Sequence, residues 1–418
     1  MRKYLAIATV MALLVSMTAF PATAQEGKTG KIRFAIYTDK ARDNVAAAQA
    51  ALYMEMNPGV TVEVVSIPYA NYYVQLGQGI ASGDAWDVFM INGASFANLS
   101  STGALYDLTD EIMSRGINLS EYVTDPLNST YDGRQYVLTY EVDTSAILFN
   151  KDLFDAAGVP YPQEDWTWED FENTAKALTK PDENQFGCYM RLAHPDLTSL
   201  IKSAGGSLYS EDMRTIDFST EEVVKALSFM TNLVRNGYAP TPGQIASNVT
   251  PFLTGKIAMA SALCFDIIST IGVSFNWDVA PWPKDVQGGM GYWTQGMAVY
   301  NNSKNLDLSL DFLFFLMGEE AQTIMASEHG ATPSLLSVAM GEAYLNESWP
   351  SGMKYFVTEY INGNAAPEPM TAKWAAISGA GTSVVQSEMT LVRLGTLSLE
   401  EAIRNMTEQG QELLDEIY

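Results

Sequence analysis

The stretch from Lys31 to Ile91 constrains the fold most. Lys31–Thr38 reads as a buried strand, with Ile32, Phe34 and Ile36 alternating with Arg33 and Ala35. A helix is predicted over about 43–56, and Asn57-Pro58-Gly59 stops it. Val60–Ile67 is the next strand. A second helix runs to about Ala81, Ser82-Gly83-Asp84 turns the chain, and Trp86–Ile91 is the third strand. Strands that alternate with helices need crossover connections, so the expected class is α/β with a mostly parallel sheet flanked by helices.

Later helices carry start signals. Thr167-Trp168-Glu169-Asp170, Ser219-Thr220-Glu221-Glu222 and Ser398-Leu399-Glu400-Glu401 fit the S/T-x-x-D/E capping pattern. The second leads into Val223, Val224, Leu227, Met230 and Val234, a core stripe at helical spacing, and stops at Asn236-Gly237. At 418 residues the chain exceeds what one hydrophobic core serves, so two lobes are expected.

The N terminus has another job. Arg2 and Lys3 precede an uncharged apolar run to about Ala19, Pro21 breaks it, and Ala22-Thr23-Ala24 supplies small residues. That order is a cleaved secretory signal occupying residues 1–24, with cleavage near Ala24. The run falls short of the roughly 20 apolar residues that span a bilayer. No cysteine sits beside the cleavage site, so a lipid anchor is not expected, and the mature protein is expected to be periplasmic and monomeric. The two cysteines, Cys188 and Cys264, would share an oxidising compartment; sequence leaves a bridge and two free thiols both open.

Charge narrows the partners. Lys and Arg number 24 against 49 Asp and Glu, a net −25, and loss of Arg2 and Lys3 makes the remainder more negative still. Such a surface repels nucleic-acid phosphates and anionic lipid heads. Catalytic and cofactor signatures are missing. His194 and His329 are the only histidines, and H-E-x-x-H, C-x-x-C, G-x-S-x-G and G-x-x-x-x-G-K-[ST] do not occur. No cofactor, no metal and no enzyme activity are expected.

What is present is a series of short motifs in a familiar order. Ser82-Gly83-Asp84-Ala85-Trp86-Asp87-Val88, Leu105-Tyr106-Asp107-Leu108-Thr109 and Leu148-Phe149-Asn150-Lys151-Asp152-Leu153-Phe154 open it. Ala157-Gly158-Val159 and Trp166-Thr167-Trp168-Glu169-Asp170-Phe171 follow, then Phe252-Leu253-Thr254-Gly255-Lys256-Ile257-Ala258-Met259 and Ala280-Pro281-Trp282-Pro283. Ser303-Lys304-Asn305 and Glu319-Glu320-Ala321-Gln322 close it. Together they resemble the extracellular solute-binding proteins that feed ABC importers, in the sugar-binding branch similar to maltodextrin-binding proteins. Trp86 stands where that family has Pro, and Phe149 where it has Tyr.

The resemblance implies two α/β lobes that close on a ligand like a flytrap, joined by crossing strands near Val142–Ser145 and Phe275–Trp277 and by a third after the Gln322 helix. Residues 25–142 and 277–328 would form lobe 1, and 143–276 and 329–418 lobe 2. It implies capture of a mono- or oligosaccharide between the lobes and delivery to membrane permease subunits. Ligands of such folds sit beyond the carboxyl ends of the strands.

A sugar offers hydroxyls all round and apolar C–H faces, so its site needs flat aromatic rings and a few carboxylates or amides in fixed geometry. Tyr37 and Asp39 end the first strand and Asn92 the third. Tyr140, Glu141 and Asp143 straddle the first crossing; by resemblance Asp143 is a ligand-contacting acid. Phe265 and Asp266 follow the Ala258–Leu263 strand, Phe265 matching an aromatic of the family. Tyr292 and Trp293 follow Gly288-Gly289, and Trp374 matches a late stacking tryptophan. Trp282, Trp166 and Trp168 are read as packing. A polyamine is the alternative ligand if Asp39, Glu141, Asp143 and Asp266 all line the site, and a secreted glycan hydrolase is the alternative class.

Overall fold

The computed structural model describes residues 27–417 apart from 39, 193–194, 245–250, 271, 329–330, 346–349 and 380–381. The expected signal segment, Asp39 and both histidines lie outside the described residues. Strand β1 (Thr29–Tyr37), helix α1 (Lys40–Met56), β2 (Gly59–Ile67), α2 (Tyr69–Ser82), β3 (Val88–Asn92) and α3 (Gly93–Leu99) follow one another as the alternation requires. β1 lies between β2 and β3, parallel to both. Trp86, the departure from the family's Pro, is buried in a stack on Tyr72 of α2 with ring centroids 5.2 Å apart.

A small hairpin, β4 (Thr130–Tyr131) and β5 (Arg134–Gln135), precedes the strand that organises the molecule, β6 (Leu138–Asn150), every residue of which is buried. The remaining strands are β7 (Phe186–Tyr189), β8 (Ile257–Leu263), β9 (Trp277–Ala280), β10 (Met290–Val299), β11 (Thr332–Pro333) and β12 (Ala365–Pro367). The sheet order is β2-β1-β3-β10-β6-β8-β7. β6 changes partners halfway along. Leu138–Thr144 pairs antiparallel with β10, and Ser145–Phe149 pairs antiparallel with β8. Parallel pairing joins β1 to β2 and β3, β7 to β8 and the short β12 to β10, whereas β6 runs antiparallel to β10 and β8 and β10 antiparallel to β3.

The chain is therefore two-lobed α/β, and its cores divide at the same place. One hydrophobic cluster gathers β1–β3, α1 and the helix Leu306–Leu316. A second gathers the helix Glu221–Arg235 and the C-terminal helices, and a third packs around Phe252, Phe356 and Leu148. The stripe Val223, Leu227, Met230 and Val234 is buried as periodicity required.

The return crossing lies later than the resemblance implied. β9, expected at the crossing, pairs with Ile147–Asn150 inside the second lobe, and Trp282 donates its Nε1–H to Ser145 Oγ at 3.0 Å. The chain leaves that lobe only along β10. Here Gly289 and Gly291 let β10 lie against the helix Asp196–Ser203: a Cβ on Gly289 would stand 2.2 Å from the Ser199 carbonyl, and one on Gly291 2.5 Å from that of Pro195.

Thr167 and Asp170 form the predicted capping box, and the Ser398 hydroxyl caps its helix through the Glu401 N–H. Ser219 does not cap: its hydroxyl donates to Asp217, and Thr220 takes the cap position without a side-chain bond. Both cysteines are buried free thiols. Cys188 is level with Met259 on β8, and Cys264 lies five residues further along the chain, roughly 17 Å away at strand rise, far beyond disulfide reach.

Candidate functional site

The carboxyl ends of strands from both lobes meet on two acids of β6. From the first lobe, Arg42 in the opening turn of α1 donates its Nε–H to Glu141 Oε1 at 3.0 Å and Oε2 at 3.3 Å. A cation there opposes the helix dipole, so its value lies in this pairing. From the second, Cys264, just past β8, lies 3.5 Å from the Val142 carbonyl and 3.9 Å from Asp143 Oδ1. Glu141 and Asp143 are both 1% exposed. They share a face because side chains alternate along a strand. Asp143 faces Trp293 in the β6–β10 register and accepts from Gln295 Nε2 at 3.4 Å.

Aromatic rings surround the acids. Tyr37 ends β1 with the Arg42 guanidinium 4.7 Å from its ring centre. Burial raises the Tyr37 phenol well above its ordinary pKa; Arg42 opposes this while Glu141 and Asp143 reinforce it. Tyr37 meets Tyr69 edge to face at 5.2 Å. Asn92 ends β3; its Oδ1 caps α3 by accepting from Ser95 N–H, and its Nδ2 donates to the Tyr69 hydroxyl at 3.4 Å. Trp293 is half-buried beside them.

The second lobe adds an ion cluster. Arg191, just past β7, donates Nη1–H to Asp266 Oδ2 at 3.1 Å, and its Nε lies 3.6 Å from Asp196 Oδ1. Asp266 also accepts from Leu263 N–H at 2.9 Å. The Phe265 side chain lies outside the described part of the structure. Trp374 is half-buried, and its Nε1–H donates to Glu368 Oε1 at 3.3 Å. Glu368, 2% exposed, also accepts from the Thr198 hydroxyl, and its carbonyl accepts from Asn128 Nδ2 at 3.1 Å. Gly93 lies so close to Asn128 and Met370 that a Cβ there would overlap both.

Two sequence candidates point elsewhere. Tyr140 is 3% exposed in the first core and donates to Gln49 Oε1 at 2.7 Å. Tyr292 is 3% exposed, donates to the Thr124 carbonyl at 3.1 Å and packs on the edge of Tyr360. Each is the strand neighbour of a residue that faces the acids, so pleating turns it away. Tyr37, Asn92, Glu141, Asp143 and Trp293 come together; Asp266 and Trp374 stand on the second-lobe side. Trp166, Trp168 and Trp282 are buried packing. Sequence reasoning missed Arg42, Tyr69, Arg191, Gln295 and Glu368. Of these only Arg42 carried a signal, as a cation at a helix start in an acidic chain. Roomier depressions, about 260 and 440 Å³, lie at the amino ends of the first-lobe strands around Lys304 and around Tyr131, away from this convergence.

Among the described residues no group of His, Cys, Asp or Glu could hold a metal, and no helix is long and apolar enough to cross a membrane. Residues 37–323 match the profile of the bacterial extracellular solute-binding proteins. A mannitol-binding protein of Pseudomonas aeruginosa is 24% identical, over 80% of this chain and 79% of its own. A galactooligosaccharide-binding protein of Bacillus subtilis is 23% identical, over 74% of each. Among solved structures, an ABC substrate-binding protein of Listeria monocytogenes in complex with cycloalternan superposes with TM-score 0.80 at 25% identity, over 93% of this chain and 100% of that one.

Proposed function

We propose a function on the premise that this chain belongs to the bacterial extracellular solute-binding proteins. It captures a saccharide reversibly between its lobes and hands it to the permease of an ABC importer, after a signal cleaved near Ala24 has carried it out of the cytoplasm. No bond is made or broken. Lobe closure is favoured only by contacts the ligand makes in the closed state and not in the open one.

One observation carries the reading. At the strand carboxyl ends the acids are committed to cations or amides and flanked by partly exposed rings. Glu141 is held by Arg42, Asp266 by Arg191, and Asp143 lies beside Gln295 and Trp293. Carboxylates fixed this way accept hydroxyl protons in set directions, and rings cover C–H faces. A polyamine needs acids whose charge is not already answered, so these pairings count against it. The relatives that bind mannitol and galactooligosaccharide support a polyhydroxylated ligand.

Calorimetry of the mature protein against neutral mono- and oligosaccharides tests this. Saturable binding is expected, with the saccharide recovered unaltered. Binding of putrescine or spermidine and of no saccharide would sink the assignment, and turnover of a glycan would place the protein among hydrolases. Trp374→Ala is expected to weaken saccharide binding roughly tenfold, the upper worth of one aromatic contact. Unchanged affinity in a folded variant would remove Trp374 from the site.

A further inference from the structure

We propose that the uncharged outer face of α2, beginning at Tyr69 and centred on Val74, docks on the membrane permease. This rests on the reading above in which the chain hands its ligand to a permease. It does not require that the ligand be a saccharide.

Charge is scarce in this part of the chain. From Val64 to Tyr106 only Asp84 and Asp87 are charged, in a chain of net −25. Both pair with Arg33, whose Nη2–H donates to Asp84 Oδ1 at 3.0 Å and whose Nε lies 4.0 Å from Asp87 Oδ2. α2 carries no charged residue, whereas every other described helix of eight or more residues carries at least two. Tyr72 and Leu76 bury its inner face. On the outer face Tyr69 is 56% and Val74 60% exposed, with Asn71, Gln75, Gln78 and Ala81 exposed around them. A surface helix ordinarily turns charges to water. Loss of Asp, Glu and Lys with Tyr retained is instead the composition of an interface core, where a charge stripped of water costs more than it returns.

The face begins at the candidate site. The Tyr69 hydroxyl accepts from Asn92 Nδ2 at 3.4 Å, and the Tyr73 hydroxyl accepts from the Asn92 N–H at 3.1 Å. Asn92 stands opposite Gln295 in the β3–β10 register, and Gln295 donates to Asp143. A partner seated on α2 therefore stands beside the place from which a ligand is passed on.

Size and charge select the occupant. α2 has 14 residues, so its outer face is roughly 21 Å long and about 10 Å wide, or about 200 Å². A stable pair of copies needs about 800 Å² on each partner, far more than this face provides. A second copy would also bring one strongly acidic chain against another. A permease emerges from a bilayer whose anionic heads repel this chain, so the part that approaches it is the part that is least negative. It needs α2 only as one portion of a brief and larger contact.

Photocrosslinking in intact producing cells tests this, with benzoylphenylalanine in place of Val74, Gln78 or, as control, Gln409 on the helix Leu399–Asp415. The adduct formed from position 74 is expected to contain a multi-spanning importer subunit, identified by mass spectrometry, at a yield roughly tenfold above that from position 409. With the label at position 78, Val74→Glu is expected to cut that adduct roughly tenfold, and Val74→Ser, which adds no charge, to keep it within about threefold. All three positions are exposed, so urea midpoints and calorimetric saccharide affinities should match the parent. An adduct between two copies, an adduct with a soluble protein, or no adduct overturns the inference and leaves the saccharide reading standing. So does a Val74→Glu loss no greater than that of Val74→Ser. An importer adduct as strong from position 409 overturns the face while keeping hand-over to a permease. An importer adduct confined to α2, in a protein that binds no saccharide, upholds the face and overturns the saccharide reading alone.

Discussion

Arg42→Met is expected to destabilise the folded chain by roughly 3–5 kcal/mol, the usual consequence of stripping one partner from a buried ion pair. The side chains are 13% and 2% exposed. The carboxylate accepts at both oxygens from one guanidinium edge, so water does not screen the pair as it would at the surface. Burial alone would lower the Arg42 pKa; Glu141, Tyr37 and Asp143 outweigh it and hold the guanidinium well above its ordinary value. Methionine keeps most of the stem and removes the charge, leaving the Glu141 carboxylate in low dielectric and taking the cation from over Tyr37. Glu141→Gln alone is expected to destabilise as well, by stranding the guanidinium. The double variant removes both charges and is expected to recover a substantial part of the loss, since contacting residues couple by about 0.5–3 kcal/mol. Urea unfolding of the four proteins at one pH measures this. A single variant within about 0.5 kcal/mol of the parent would mean the pair does not hold β6 to α1.

That pair shows where sequence reading succeeds and where it stops. The alternation from Lys31 to Ile91 placed β1 to β3 within a few residues, because period-two burial and Gly/Pro/Asn stops are local signals. The candidate site was partly legible for a related reason: strand carboxyl ends in an α/β sheet are where ligands gather, and Tyr37, Asn92, Glu141 and Asp143 sit at or between such ends. Tyr140 and Tyr292 point away from that convergence because adjacent strand residues face opposite ways, a parity that the sequence already contains. The second crossing failed because Trp277–Ala280 is a true strand, and only its partner, Ile147–Asn150, says which lobe owns it. Tyr69 and Glu368 were out of reach. Tyr69 is placed by a bond from Asn92, 23 residues on, and Glu368 by one from Thr198, 170 residues back. Nothing local marks a contact of that kind.

Asp125→Asn is expected to stabilise the protein at pH 7 and to flatten one component of its pH dependence. Asp125 is wholly buried; its Oδ2 accepts from Asn128 Nδ2 at 2.7 Å and Thr294 Oγ1 at 3.2 Å, and its Oδ1 has no hydrogen-bond partner among the described residues. Burial pushes its carboxyl up to about 6; the bonds from Asn128 and Thr294 pull it down, and the nearby Glu368 adds repulsion. The folded chain therefore keeps a proton that the unfolded chain releases near pH 4. Stability falls as pH rises from about 4 to about 6, and above that the ionised group costs on the order of 3 kcal/mol. Asparagine keeps an acceptor for Asn128 and Thr294 and carries no charge. The gain over the parent should be absent near pH 4 and largest above pH 6, read as the difference between the two urea midpoints so that other titrating groups cancel. Parallel curves would show that Asp125 does not ionise in this window. An acid retained at that cost invites a functional explanation, because stability is commonly given up at working sites rather than in plain core. Its position supplies one. Asn128 holds Asp125 on one side and the Glu368 carbonyl on the other, and Glu368 holds Trp374. The two carboxylates thus repel each other across the junction between the first lobe and the segment carrying Trp374. A stiffer Asp125→Asn junction should show itself as altered saccharide affinity in a more stable protein. Greater stability with unchanged affinity would confine the role of Asp125 to folding.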